Sequence, residues 1–129
     1  MSNGFVFGKR SEDNLRGVNP ALVAVVRRAL QLSTVDFTVI EGLRSAERQK
    51  QLLAEHKTKV AHSKHQDGLA VDLFPVGGTW KAAEFIPVHH AMQQASDELG
   101  IRLRWGGDFN GDGHEVGNDN WDCPHFELR

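Results

Sequence analysis

Two short stretches of this 129-residue chain carry residue types that can hold a metal ion and run hydrolysis beside it: SKHQDGLAVD at 63–72 and DCPHFE at 122–127. His65, Asp72 and His125 amount to two imidazoles and a carboxylate, a ligand set that binds catalytic zinc with one position left open for water. Asp122 lies three residues before His125, where a carboxylate can serve as general base. Taken singly, a histidine or aspartate at such a position is more often a surface or hydrogen-bonded residue. Seven histidines in one chain also offer chance pairs. The spacing alone therefore leaves both readings standing.

The surrounding elements would aim these side chains toward one another, without yet deciding between the two readings. From Leu69 to Leu73 apolar residues alternate with Ala70 and Asp72, which predicts a strand with Asp72 on one face and Leu69, Val71 and Leu73 on the other. Gly68 lets the chain turn just before it, so His65 can fold back toward Asp72, and the small Ala70 is expected to leave room for metal and substrate. In a last strand over 125–128, His125 and Glu127 share a face opposite Phe126 and Leu128. Glu127 on that face either orients a ligand or lies at an exposed edge.

The remaining elements follow from caps and periodicity. Asn19-Pro20 opens a helix over about 20–32, with Leu22, Val25, Val26, Ala29 and Leu30 at helical spacing. Val35–Ile40 reads as a strand ending near Gly42, and Ser45 caps a helix to about Glu55 with Leu52 and Leu53 facing inward. After Pro75 and Gly77-Gly78 a helical segment, begun afresh at Pro87, runs to Leu99 and closes at Gly100. Ile101–Trp105 is a further strand, and a glycine- and aspartate-rich loop fills 106–121. The mixture predicts an α+β fold, a small, mainly antiparallel sheet packed with helices, in a single domain covering 1–129.

Composition narrows the function. Hydrophobic residues at 40% and charged residues at 25% exclude a disordered or membrane-spanning chain, and a net charge of -2 gives no general attraction to nucleic acid or acidic membranes. A lone cysteine, Cys123, excludes an internal disulfide and reads as a small packed thiol. The first ten residues, MSNGFVFGKR, lack the apolar core of a secretory signal. The expectation is a monomer made in a reducing cytosol, with neither nucleic acid nor membrane as partner.

The full pattern, Ser63-x-His65-x-x-Gly68-x-Ala70-x-Asp72 followed by Asp122-x-x-His125-x-Glu127, resembles the zinc peptidases that include D-alanyl-D-alanine carboxypeptidases and dipeptidases and the phage L-alanyl-D-glutamate endopeptidases. The phage endolysins match best, and the resemblance runs from Phe7-Gly8-Lys9 through Asp36-Phe37-Thr38 and Glu41-Gly42-Leu43-Arg44-Ser45 to Leu99–Arg104. It implies that His65, Asp72 and His125 bind Zn2+ and that Asp122 is the catalytic carboxylate. The dipeptidases usually have glutamate where this chain has Asp122, which favours the endolysin branch. It also implies an active-site role for Arg44, whose fixed charge suits an oxyanion or a substrate carboxylate, with Ser63 as a further substrate-binding candidate.

The expected activity is hydrolysis of the L-alanyl-D-glutamate bond in the stem peptides of bacterial peptidoglycan. The enzyme would wait in the host cytoplasm until a holin opens the membrane and then act on the cell wall. The alternatives are a D-alanyl-D-alanine carboxypeptidase or dipeptidase, and a non-catalytic zinc-containing module that binds muropeptides. A second ion is also suggested: Asp108, Asn110 and Asp112, then Gly113 and Asp119 at the twelfth position, match the D-x-N-x-D-G spacing of a Ca2+ loop. Against that, the final ligand is not the usual glutamate, the flanking helices are missing, and a solvated Asp/Asn/Gly turn has the same composition.

Overall fold

The computed structural model describes residues 3–55, 64–106 and 123–129. Its elements are α1 (Lys9–Leu15), α2 (Pro20–Leu32), β1 (Phe37–Glu41), α3 (Ala46–Ala54), β2 (Ala70–Pro75), α4 (Ile86–Leu99), β3 (Leu103–Trp105) and β4 (His125–Leu128), with single 3₁₀ turns at Lys64–Asp67 and Ala82–Phe85. The strands form one antiparallel sheet in the order β1-β2-β4-β3. This is the expected α+β architecture.

Hydrophobic alternation decides which face of the sheet is covered. Phe37, Val39, Val71, Leu73, Phe126 and Trp105 point to one side and are buried against α2 and α4. Those helices contribute Leu22, Val25, Val26 and Ala29, and Val88, Met92 and Ala95, all without exposed surface. Side chains of this size contribute about 1.5–3 kcal/mol each on full burial, so this layer carries most of the apolar stabilisation. The opposite face presents Thr38, Glu41, Asp72, Phe74, His125 and Glu127.

Helix ends follow the local chemistry. The Asn19 side chain accepts the Ala21 N–H at 2.9 Å with Pro20 as the first helical residue, and Ser45 Oγ accepts the Arg48 N–H at 3.0 Å. Gly100 stops α4 in the left-handed region at φ 68°. Three details depart from expectation. Leu53 of α3 is 38% exposed, and the buried positions of that helix are Gln49 and Leu52, three apart on one stripe. Ala70 has no exposed surface and packs opposite Glu127, so it lines no open space for a metal or substrate. Helix α1 has no periodic signal in the sequence, and only Ser11 and Leu15 are buried.

What α1 does is cover a sheet edge. Ser11 Oγ accepts the Val39 N–H at 3.1 Å and Asn14 Nδ2 donates to the Val39 carbonyl at 2.8 Å, which satisfies backbone groups that an outer strand would otherwise leave open.

Candidate metal centre and active site

Three backbone devices bring the ligands together. The first is sheet register: Asp72 of β2 lies directly opposite His125 of β4, so both side chains leave the same face side by side. The second is a bulge in β1, where the register shifts between Val39 and Glu41. Regular pairing would put Ile40 opposite Asp72; the extra residue puts Glu41 there instead, on the open face beside the site. The third is a close joint of backbone segments that holds the 3₁₀ turn carrying His65. Arg44 N–H donates to the His65 carbonyl at 2.9 Å, Asn19 N–H donates to the Gly68 carbonyl at 2.8 Å, and a side chain at Gly68, φ 70°, would strike the Gly17 carbonyl at 2.6 Å.

The donor atoms converge as the sequence suggests. His65 Nε2 is 3.1 Å and His125 Nδ1 3.2 Å from Asp72 Oδ1, and among the described residues these three form a group whose ligand atoms all lie within 4.8 Å. Zinc bonds of about 2.0–2.1 Å in a tetrahedron hold ligand atoms about 3.4 Å apart, so the cluster has the right size. His65 and His125 are buried, and their rings meet edge to face at 5.0 Å.

Proton accounting sharpens the fit. His65 Nδ1 lies 2.9 Å from the Gly42 carbonyl, which can only accept, so that nitrogen carries a proton. His125 Nε2 lies 2.8 Å from Glu127 Oε1 and donates in the same way. In the neutral imidazoles the two inward nitrogens therefore hold lone pairs, and both face a carboxylate oxygen. A cation reconciles three converging acceptors, and the outer hydrogen bonds are those that orient metal-binding histidines. Burial pushes the Asp72 carboxyl up; when the two rings are protonated instead, their hydrogen bonds and charges, from His125 and His65, outweigh it and hold Asp72 well below the usual carboxylate range. The same contest at Glu127, between burial and the hydrogen bonds and charges of His125 and Lys64, holds its pKa at about 2.

Arg44 reaches the site in a different way from that expected. Its side chain is only 8% exposed; Nε and Nη2 grip Glu41 at 2.6 and 2.7 Å, and Nη1 donates to Gln49 at 2.8 Å. This bidentate clamp ties the guanidinium to Glu41, the residue opposite Asp72 in the sheet. Glu41, Gly42 and Gln49 have no site role in the sequence reading, although a Glu and an Arg three apart signal a local pair. Gly42 has no alternative: a side chain there would meet the Asn14 carbonyl at 1.8 Å. Glu127, ambiguous in sequence, orients His125 and also meets Lys64 Nζ at 3.1 Å. Cys123 is buried in the core, with its carbonyl accepting from Trp105 Nε1 at 2.6 Å. Ser63, Asp122 and the suggested calcium ligands Asp108, Asn110, Asp112 and Asp119 lie outside the described residues. Among the described residues no helix is long and apolar enough to cross a membrane.

The small antiparallel sheet and the helices packed on it form a fold found in other solved structures. The LdcB LD-carboxypeptidase superimposes with a TM-score of 0.61 at 16% identity, covering 99% of this chain and 66% of that one, which is a likeness of fold. Residues 3–129 match the model of the phage L-alanyl-D-glutamate peptidase family, and the chain belongs to that family. It is 42% identical to the L-alanyl-D-glutamate peptidase of Escherichia phage T5, over 96% of this chain and 98% of the relative. The Serratia marcescens L-Ala D-Glu endopeptidase ChiX matches with a TM-score of 0.82 and 36% identity over 98% of this chain and 92% of that one.

Proposed function

We propose that this protein is a zinc-dependent endopeptidase of a phage lysis system, its catalytic unit spanning 1–129, that cuts the L-alanyl-D-glutamate bond of peptidoglycan stem peptides. The observation that carries the zinc reading is the cluster of His65, Asp72 and His125 with both outer imidazole nitrogens pinned, to Gly42 and to Glu127. The choice of bond is supported by the two L-alanyl-D-glutamate peptidases matched over nearly the whole chain.

His65 Nε2, Asp72 Oδ1 and His125 Nδ1 would hold the ion, which supplies Lewis acidity toward water and the peptide carbonyl. Three protein donors leave a coordination position for chemistry. Asp122, three residues before His125, takes the proton of the attacking water and returns it to the departing amine of the D-glutamyl residue. Arg44, clamped by Glu41, places a fixed positive charge at the edge of the site for the developing oxyanion or a substrate carboxylate, and Ser63 contributes to substrate binding. The enzyme acts on the wall once the host membrane has been opened.

Digestion of purified peptidoglycan with zinc-loaded and with chelator-treated protein tests the proposal. Mass analysis should find new alanine C-termini and glutamate N-termini from the loaded protein alone. Release of D-alanine would instead assign a carboxypeptidase, and stoichiometric muropeptide binding without any cleavage would assign a binding module.

A further inference from the structure

The open face of β2 continues past Asp72 to Phe74, two residues farther along and about 7 Å away. The chain then turns through Gly77 and Gly78 and lays Trp80 back on Phe74, with ring centroids 4.4 Å apart and planes tilted by 45°. Phe85, buried in the core, braces the pair edge-on to Phe74 at 5.8 Å and lies 6.2 Å from Trp80. Despite this support the indole is 63% exposed.

Its backbone is also unusual. Trp80 has φ 70° and is the one non-glycine residue with positive φ among the described residues, a region that bulky side chains adopt only when their surroundings force it. The forcing group is Glu84. Its carboxylate accepts the Thr79 N–H at 2.8 Å, the Thr79 hydroxyl at 3.0 Å and the Lys81 N–H at 2.9 Å, which pins the chain on both sides of Trp80. A tryptophan serving the core would be buried; this one is held outward in a costly conformation, on the face that carries Asp72 and His125.

We propose that Trp80, backed by Phe74, is a subsite for a sugar ring of the glycan strand, on the N-terminal side of the cleaved bond. The inference rests on the peptidoglycan reading above. The stem peptide is joined to its sugar through the lactyl group at its first residue, and the proposed cut follows that residue. One amino acid and a lactyl unit therefore separate the reacting carbonyl from the pyranose, about 7 Å in extended form. That matches the spacing from Asp72 to the Phe74–Trp80 pair. A pyranose offers an apolar C–H face, and the face of an indole is its natural complement, burying apolar area while the sugar hydroxyls stay in water.

The test compares wild type with Trp80→Gly, which accommodates positive φ and spares the turn, and with Trp80→Phe, which keeps an aromatic ring. The two substrates are a muramoyl-linked stem tripeptide and the same tripeptide free of sugar. Trp80→Gly should raise KM for the linked substrate about tenfold with kcat unchanged, leave the free tripeptide unaffected, and be largely rescued by Trp80→Phe. Equal losses on both substrates, or none on the linked one, would overturn the subsite. Independently of cleavage, a peptide-free N-acetylglucosamine–N-acetylmuramic acid disaccharide should shift the Trp80 indole N–H resonance. If it does not, the subsite is wrong. A wild type that cleaves neither substrate refutes the endopeptidase reading instead, and the disaccharide titration still decides the sugar site.

Discussion

Truncating Glu127 to alanine should weaken zinc binding without touching a ligand. The carboxylate lies 2.8 Å from His125 Nε2 and is 8% exposed, so the bond it accepts is shielded from water. Its loss frees the His125 ring to rotate and removes the negative charge that makes the inward Nδ1 a better donor to a cation. Partners of this kind are worth about 10–100-fold in metal affinity, or about 1.4–2.7 kcal/mol. Glu127→Gln separates orientation from charge. Its amide oxygen can still accept from His125, which turns the amide NH2 toward Lys64 Nζ, now 3.1 Å from Oε2. Lys64 is 44% exposed and can swing into solvent, so the glutamine variant should lose less than about tenfold. Zinc affinities from competition with a chromogenic chelator at pH 7.5 give the comparison, with melting curves of the metal-free proteins as a check on folding. The reasoning fails if Glu127→Ala folds and binds zinc within twofold of wild type, because the strand alone would then be aiming His125.

Four further outcomes are expected. Asp122→Ala should retain stoichiometric zinc yet lose hydrolysis by at least about 10²-fold, read by parallel metal analysis and peptidoglycan turnover; substantial remaining turnover removes it as the base. Gly42→Ala should destabilise the protein by about 1–3 kcal/mol in urea unfolding and weaken zinc binding as well, since the added carbon must displace the Asn14 backbone or the carbonyl that holds His65; an unchanged unfolding midpoint would contradict the contact. In chelator-treated protein the Glu127 pKa of about 2 lies below the ordinary 4.5, so its stabilisation is complete above about pH 4.5 and fades as pH falls toward 2; Glu127→Gln should flatten the acid limb of the stability curve in that window, and an unchanged limb would refute the assignment. Calorimetry with calcium on wild type and on Asp112→Ala decides between the two sequence readings of 108–119: binding by wild type but not by the variant assigns a Ca2+ loop, and a flat wild-type titration refutes it.

Much of this arrangement was legible because it is periodic. The Asn19-Pro20 cap and the apolar stripe from Leu22 to Leu30 gave helix α2 its bounds, and alternation in β2 and β4 put Asp72 and His125 on the uncovered face. The parts that were not legible depend on contacts between distant segments. Helix α1 exists to satisfy Val39 through Ser11 and Asn14, 28 and 25 residues away, and neither side chain leaves an apolar pattern. Leu53 read as a core residue because it is apolar, yet it sits about 100° around the helix from Leu52, while Gln49 shares the Leu52 stripe and is buried as a partner for Arg44. The bulge that brings Glu41 opposite Asp72 has no residue signature, since Ile40 suits a regular strand as well as a bulged one.

The two halves of the metal cluster are thus supported by different physics. Asp72 and His125 are neighbours in a hydrogen-bonded ladder whose reverse face is locked into the apolar core, so their separation is set by sheet geometry. His65 has no such ladder. It stands on a single 3₁₀ turn held by backbone groups of the 14–19 and 41–44 segments, packed so closely that Gly42 and Gly68 leave no room for a side chain. Its ties to those segments are the Arg44 N–H bond to the His65 carbonyl, the Asn19 N–H bond to the Gly68 carbonyl and the contact of His65 Nδ1 with the Gly42 carbonyl. An ion shared by His65, Asp72 and His125 would bridge the joint to the sheet, so metal binding should stabilise the His65 turn more than it stabilises the strands.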